Sequence, residues 1–262
     1  MSEIIKELDL KDIVDEYLSD SKVNNIRRNH SKGIRWYKKN GLEWKPSVTS
    51  VLQCVSKGVG FEKWLGDQPS YKEACDIRDK SASLGTNIHN YIEEYNAGTL
   101  LDLDKEDEQK YMMSYEAWYD TMCDEQGKSI FVNDNFVQEI FLYNEDMPWA
   151  GTPDLVIRSS EAECVLIDYK TGNPYKTHEI QLNMYRELWN SIFPEFPITK
   201  IFSLYLKSNW KIKPTFNFKE YKKNPHITMA VHVLWEYLNK PAKGSLGPRK
   251  QLKLKKHFSR KQ

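Results

Sequence analysis

Two acidic residues and a lysine lie close together in the middle of the sequence. The motif GTPD ends at Asp154, and fourteen residues further on the motif IDYK supplies Asp168 and Lys170. Carboxylate oxygens are preferred ligands of hard divalent cations, and a nearby lysine can orient water or offset negative charge. The spacing indicates a metal-assisted reaction centre or, more simply, an Asp168–Lys170 ion pair at a strand end.

Extended segments surround these motifs. Alternating and apolar residues predict three strands at 136–143, 149–157 and 163–170, joined by short polar turns. Helical spacing then predicts a helix capped by Thr177, two further strands at 201–206 and 211–218, and a closing helix from about residue 227. This order of elements predicts an α/β fold.

The pairing of the second and third strands decides whether the two aspartates can meet. If Ile157 faces Glu163, position 154 lies opposite Leu166 and diagonal to Asp168, on the same face of the sheet. Diagonal neighbours are about 7 to 8 Å apart at the backbone. Both carboxylates could then reach one cation, whereas a slip of one residue would place them on opposite faces.

Two helical segments carry further polar residues. Helical spacing extends from Tyr71 to Tyr95, and within it the motif GTxxH at Gly85 is predicted to open a helix on which His89 and Glu93 lie one turn apart. In the helix after Asp168, Gln181 and Tyr185 also share a face. Each pair alone is ordinary helix surface, since a lone histidine or glutamine rarely marks a site.

Taken together and in this order, GTxxH, GTPD, IDYKTG and QLNMY resemble the RecB-type branch of the PD-(D/E)XK nucleases. The resemblance extends from about Pro46 to Tyr185, because the PSVT segment ahead of GTxxH is similar to the mitochondrial genome maintenance exonuclease and its phage relatives. It implies a restriction-endonuclease-like core, with a mixed central sheet flanked by helices, and a helical N-terminal extension.

The resemblance also implies the roles of individual residues. Asp154, Asp168 and the backbone carbonyl of Tyr169 would bind Mg²⁺ or Mn²⁺, His89 would add a ligand, and Lys170 would orient or activate water. Asp168 stands where many members have Glu, and the shorter side chain can still ligate. The resemblance further implies that Glu139 is the acidic residue of the catalytic site on the strand before Asp154. The implied substrate-binding residues are Gln181, Tyr185, Thr152 and Thr171.

The sequence predicts one nuclease domain, at 1–240. Residues 1–83 form a mainly helical extension with a hairpin near 34–44, where Asn40-Gly41 suits a tight turn, and 84–240 form the catalytic core. The hairpin is basic and aromatic, so it either contacts single-stranded DNA or packs on the core. The basic segment 241–262 is expected to be a flexible tail that either follows phosphates or is simply solvated.

Composition excludes several classes of protein. The formal net charge of +1 gives no overall attraction to nucleic acid, and the four cysteines contain no CxxC pair. No cysteine follows Cys164, which excludes the iron–sulfur cluster of some related nucleases. No apolar run approaches the roughly 18 residues of a membrane span, and the acidic N-terminus does not resemble a signal peptide. We expect a cytoplasmic protein of a bacterial or phage-infected cell.

The expected function is a divalent-metal-dependent DNA nuclease in replication, recombination or repair. An exonuclease acting on DNA ends, with single-stranded DNA favoured, fits the resemblance best. A structure-selective endonuclease and a catalytically silent nucleic-acid-binding protein remain alternatives. No Walker-type phosphate-binding motif occurs, so any helicase activity would come from a replication or recombination partner.

Overall fold

The computed structural model describes residues 9–19, 27–31, 33–39, 42–123, 135–160 and 163–239, with the backbone alone at 27–31 and 160. The predicted turn at Asn40-Gly41 and the predicted tail at 241–262 lie outside the described residues. Among the described helices, none is long and apolar enough to cross a bilayer.

The N-terminal part combines helices with a small three-stranded antiparallel sheet. Its strands pair in the order β1, β2, β3, so the predicted hairpin gains an additional strand that the sequence did not indicate. Ser47 caps the following short helix, its Oγ accepting from the Ser50 N–H at 3.0 Å. The elements are α1 Leu10–Ser19, β1 Arg27–Ser31, β2 Ile34–Lys38, β3 Trp44–Pro46, α2 Val48–Val51 with a 3₁₀ turn at Leu52–Cys54, α3 Val59–Gly66, α4 Tyr71–Asn96 and α5 Glu106–Tyr119 with a 3₁₀ turn at Asp120–Met122.

The central sheet has five strands in the order in which they occur in the chain. All neighbours are antiparallel except β6 and β7, which are parallel and joined by the crossover helix α6. The fold is therefore mixed α/β, with a mixed sheet flanked by helices. The elements are β4 Phe136–Gln138, β5 Leu155–Ser160, β6 Glu163–Lys170, α6 Lys176–Ile192, β7 Ile198–Leu206, β8 Phe216–Tyr221 and α7 Pro225–Asn239.

Apolar residues of β6 alternate between two cores, one on each face of the sheet. Leu166 packs with Leu182 and Trp189 of α6, whereas Ile167 packs with Ile88 of α4 and Trp118 of α5. A sheet covered on both faces explains why β6 reads as a nearly continuous apolar run. The next residue in this alternation, Asp168, is also completely buried.

The predicted register of β5 and β6 is wrong by two residues. Val156, not 154, lies opposite Leu166, because β5 continues to Ser160 and the register shifts between Arg158 and Ser160. Position 154, just before β5, consequently projects directly opposite Asp168 rather than diagonally. A shift of two preserves the side-chain face, so the expectation that both aspartates share one face holds.

Four other predicted boundaries also differ from the structure. The strand predicted at 211–218 is β8 Phe216–Tyr221, so residues 211–215 are not part of it. The segments predicted as strands at 136–143 and 149–157 pair as strands only at β4 and β5. Two isolated bridges lie outside them, between Leu142 and Gly151 and between Ala150 and Ser47. Helix α6 begins at Lys176, so Thr177 lies in its first turn. Helix α4 agrees with the helical pattern from Tyr71 to Tyr95, so Gly85 lies inside a helix rather than at its start, and the predicted boundary between residues 83 and 84 falls within this helix. Leu10 and Val14 of α1 share a core with α6.

Candidate metal centre

Residues from six parts of the chain line one cleft of about 580 Å³. Asp154 lies just before the first residue of β5, and the Asp168–Lys170 pair lies at the end of the neighbouring strand β6. His89 comes from α4 on one side, and Tyr185 comes from α6. Because a strand order of β4, β5, β6 places Glu139 beside Asp154, the topology brings the polar residues of the separate motifs together.

His89, Glu139 and Asp154 form a compact group. Their ligand atoms all lie within 4.8 Å of one another. The Nδ1 atom of His89 is 3.6 Å from Oδ1 of Asp154 and 4.0 Å from Oε1 of Glu139. One imidazole nitrogen and two carboxylates at this spacing can hold a divalent cation. This arrangement supports the grouping of His89 with the acids and brings Glu139 fully into the group.

Glu139 reaches this position through an unusual backbone conformation. Its φ is 47°, in the left-handed region that residues other than glycine rarely adopt. Its N–H donates to the Asp154 carbonyl oxygen at 3.1 Å, which ties the end of β4 to the residue before β5. Strained backbone of this kind costs on the order of 1 to 3 kcal/mol and clusters at functional sites.

The backbone of Tyr169 holds two members of the group. Its N–H donates to Oδ2 of Asp154 at 2.7 Å, and its carbonyl oxygen lies 3.1 Å from Nε2 of His89. A carbonyl can only accept, so Nε2 carries the proton and Nδ1 faces the two carboxylates. The Tyr169 carbonyl, predicted as a metal ligand, is therefore engaged by His89 and orients that ring, as carbonyls do behind histidine ligands.

Asp168 lies beside the group, paired with Lys170. The Lys170 Nζ atom contacts Oδ2 of Asp168, and the carboxylate is completely buried. Among the described residues, no hydrogen bond supplements this ion pair at either carboxylate oxygen. A buried carboxylate with free lone pairs is costly unless a cation compensates it. The orphaned oxygen of Asp168 therefore fits a metal at the adjacent group.

The electrostatics of the cleft set the charge of two residues. Burial opposes the charged form of His89, but the carboxylates of Asp154 and Glu139 outweigh it and raise its pKa to about 9. Burial likewise disfavours charge on Lys170, yet Asp168 and Asp154 raise the pKa of its ammonium group. Burial raises the pKa of Asp168. Both His89 and Lys170 are thus cations at neutral pH when no metal is bound.

Tyr185 supports the turn that carries Asp154. It is 4% exposed, and a Cβ added to Gly151 would lie 2.6 Å from Cε1 of its ring. Glycine at the start of GTPD is therefore required by the tyrosine of the QLNMY motif. Gln181 lies beside the Tyr185 side chain and lines the cleft together with Thr152.

Thr171 faces helices rather than the acids. A Cβ atom built onto Gly85 would lie 3.4 Å from Oγ1 of Thr171. The carbonyl oxygen of Thr171 accepts a hydrogen bond from the Tyr111 hydroxyl at 3.1 Å. These contacts anchor the end of β6 between α4 and α5. A substrate-binding role for Thr171 stays a prediction.

Arg35 and Thr49 also line the cleft, although the sequence did not single them out as site residues. The basic hairpin contains Arg35, but successive residues of a strand point to opposite faces, so the site-facing residue was unknown without the fold. Trp36 packs edge-to-face on Trp235, with ring centroids 5.7 Å apart, and Tyr37 is buried. Of the two alternatives for the hairpin, contact with single-stranded DNA or packing on the core, these two aromatic residues fit packing on the core.

Comparisons with known proteins add little to this description. No protein-family model matches the chain, and no curated protein is detectably similar to it. Among solved structures, one described as the crystal structure of SSO0001 is similar at 17% identity, over 88% of this chain and 84% of that one. Its TM-score is 0.39, a likeness too weak to carry an argument. The class defined by the coordinates is a mixed α/β protein with a candidate metal centre.

Proposed function

We propose that this protein is a divalent-metal-dependent nuclease with a PD-(D/E)XK core, which hydrolyses phosphodiester bonds of DNA. The observation that carries the proposal is the convergence of His89, Glu139 and Asp154 beside the buried Asp168–Lys170 pair in one cleft. These residues come from separate motifs, and an isolated structural ion pair would leave the neighbouring three-residue group without a purpose.

The residues present fit Mg²⁺ or Mn²⁺. Asp154, Glu139 and His89 would hold the cation, and Asp168 offers a buried oxygen next to them. Oxygen-rich sites favour Mg²⁺ and Mn²⁺, and a single imidazole is compatible with Mn²⁺ in particular. When bound, the cation supplies positive charge to the phosphoryl oxygens and makes a hydrolytic water available at neutral pH.

The chain's own residues do the positioning. Lys170 is protonated because Asp168 and Asp154 stabilise its charge, so its role is to orient water and to offset the negative charge that develops on the phosphoryl group. Tyr169 fixes Asp154 and His89 through its peptide groups. Arg35 and the hydroxyl of Thr49 give the cleft wall groups that suit phosphate.

Within this class, we favour an exonuclease that acts on the ends of single-stranded DNA during replication, recombination or repair in the cytoplasm of a bacterial or phage-infected cell. The support for this choice is the sequence resemblance. Any helicase or ATPase activity would come from a replication or recombination protein as partner, because the sequence contains no Walker-type phosphate-binding motif.

The test is cleavage of end-labelled DNA by the purified protein. Linear and circular substrates, single- and double-stranded, are incubated with Mg²⁺, Mn²⁺ or EDTA, beside the Asp154→Asn variant as a matched control. We expect metal-dependent degradation of linear single strands and no reaction with the variant. Full activity in excess EDTA, or equal activity of Asp154→Asn, would contradict the proposal.

Two further outcomes refine the proposal. Cleavage of covalently closed circles would identify an endonuclease. DNA binding without cleavage under any metal would identify the catalytically silent alternative.

A further inference from the structure

Helix α7 exposes an apolar face that no described element covers. Its inner side packs against α6, α2 and the 3₁₀ turn at 52–54 through Val231, His232 and Trp235. Its outer side carries two rows of apolar residues at helical spacing. The five large ones are 44% to 76% exposed: Met229, Val233, Leu234, Tyr237 and Leu238.

The helix as a whole has the composition of a buried helix. Of its fifteen residues, Glu236 is the only acidic or basic one, apart from two histidines. A helix that is apolar on all sides is normally covered on all sides. The outer face exposes on the order of 500 Å² of surface, which is the size of the largest apolar patch on a typical monomeric protein, and such patches often mark a contact site.

The order of residues along this face matches a second copy of itself. The rows are Met229, Val233, Tyr237 and, beside them, Ala230, Leu234, Leu238. If two such helices pair antiparallel with a two-fold axis at Val233, the end of the face with the smaller Ala230 meets the end with the larger Tyr237 of the other copy. Met229 then faces Tyr237 of the second copy, and each Glu236 lies near Ala230 of the second copy rather than near its own equivalent.

We propose that α7 forms an isologous two-fold interface between two copies of this chain. If both faces are fully covered, they bury about 1,000 Å² together, which is the lower bound for a biological interface. The contact is self-complementary in size and opposes no like charges, as a closed two-fold dimer requires. This inference does not depend on the nuclease proposal, because α7 contributes no residue to the cleft.

The experiment measures the oligomeric state of the full chain by sedimentation velocity at tens of micromolar protein. The wild type should sediment as a dimer. Val233→Glu should be monomeric, because the substitution places two negative charges across the two-fold axis in an apolar contact. Val233 is 57% exposed, so the fold tolerates the change, and an unchanged circular dichroism spectrum verifies this. Leu100→Glu, at a 97% exposed position elsewhere, is the matched control and should remain dimeric.

A charge-complementation arm tests the self-contact directly. Val233→Lys alone should also be monomeric, and an equimolar mixture of Val233→Glu and Val233→Lys should form a heterodimer. The proposal would be overturned by a monomeric wild type, or by a Val233→Glu variant that sediments as a dimer like the wild type. A variant that ends at Asn239 should stay dimeric; dimers that appear only after this truncation would show that residues 240–262 cover the face instead.

Discussion

The contact between Gly151 and Tyr185 gives a prediction whose size follows from the structure. Adding a methyl group in Gly151→Ala places a carbon 2.6 Å from Cε1 of Tyr185 and 3.3 Å from Cγ2 of Val48. Ordinary carbon contacts lie at about 3.5 to 4.0 Å, so the overlap with the ring is about 1 Å. The ring is buried and cannot swing into solvent. Overpacking of this kind costs about 1 to 3 kcal/mol.

Thermal unfolding measures this cost. For a chain of this size, a loss of about 2 kcal/mol lowers Tm by about 4 to 8 °C. Activity should fall further, by about 100-fold, because the displaced turn carries Asp154 and catalysis is sensitive to misplacement of about 1 Å. The control is Gly60→Ala in α3, where an added Cβ meets nothing within 4 Å; this change should be neutral or stabilising.

A double-mutant cycle isolates the cause. Tyr185→Leu removes the ring edge, so Gly151→Ala should cost at least about 1 kcal/mol less in that background than in the wild type. The steric explanation would be refuted if Gly151→Ala lowered the free energy of unfolding equally in both backgrounds, or if the Gly151→Ala protein had the same Tm as the wild type.

Three further predictions concern the charged residues of the cleft. Lys170→Ala should reduce cleavage by at least about 100-fold while DNA affinity stays nearly unchanged; equal losses in both would indicate a binding role. The pKa of His89 is raised from 6.5 to about 9, so its charge stabilises the metal-free fold below pH 6.5 and this contribution disappears as pH rises through 9. Metal binds the neutral ring, so Mn²⁺ affinity measured by calorimetry should rise over the same interval; pH-independent affinity would argue against His89 as a ligand. Glu139→Gly should relieve the left-handed backbone and melt no lower than the wild type while binding Mn²⁺ more weakly; a large drop in Tm would show that the backbone there is not strained.

The sequence predicted the shared face of the two aspartates but not their register. Apolar residues define which side of β6 faces which core, and this information repeats every two residues. A shift of two residues therefore leaves the pattern unchanged. In the structure the register shifts between Arg158 and Ser160, and the polar residues of this segment carry no signal of that shift.

The helical pattern from Tyr71 to Tyr95 predicted α4 almost as it is, but the expectation that Gly85 opens a helix was wrong, because glycine is a poor helix former and suggests a helix end. Gly85 nevertheless lies within the helix, where the missing side chain lets α4 approach Thr171 at the end of β6. This is a tertiary contact that local propensity cannot predict. Glu139 is a similar case, since nothing in its residue type indicates the positive φ that ends β4.

Helix α4 joins two environments in one continuous element. Its first half, from Tyr71 to Ser83, is almost entirely exposed, whereas Ile88 and Ile92 in its second half are completely buried. The rate of amide hydrogen exchange should therefore change steeply along this one helix. Exchange should be rapid before Gly85, whereas after Gly85 it should require unfolding of the whole domain. The first three turns can open and re-form while His89 stays in place, so one helix combines an exposed segment of low local stability with a fixed candidate metal ligand.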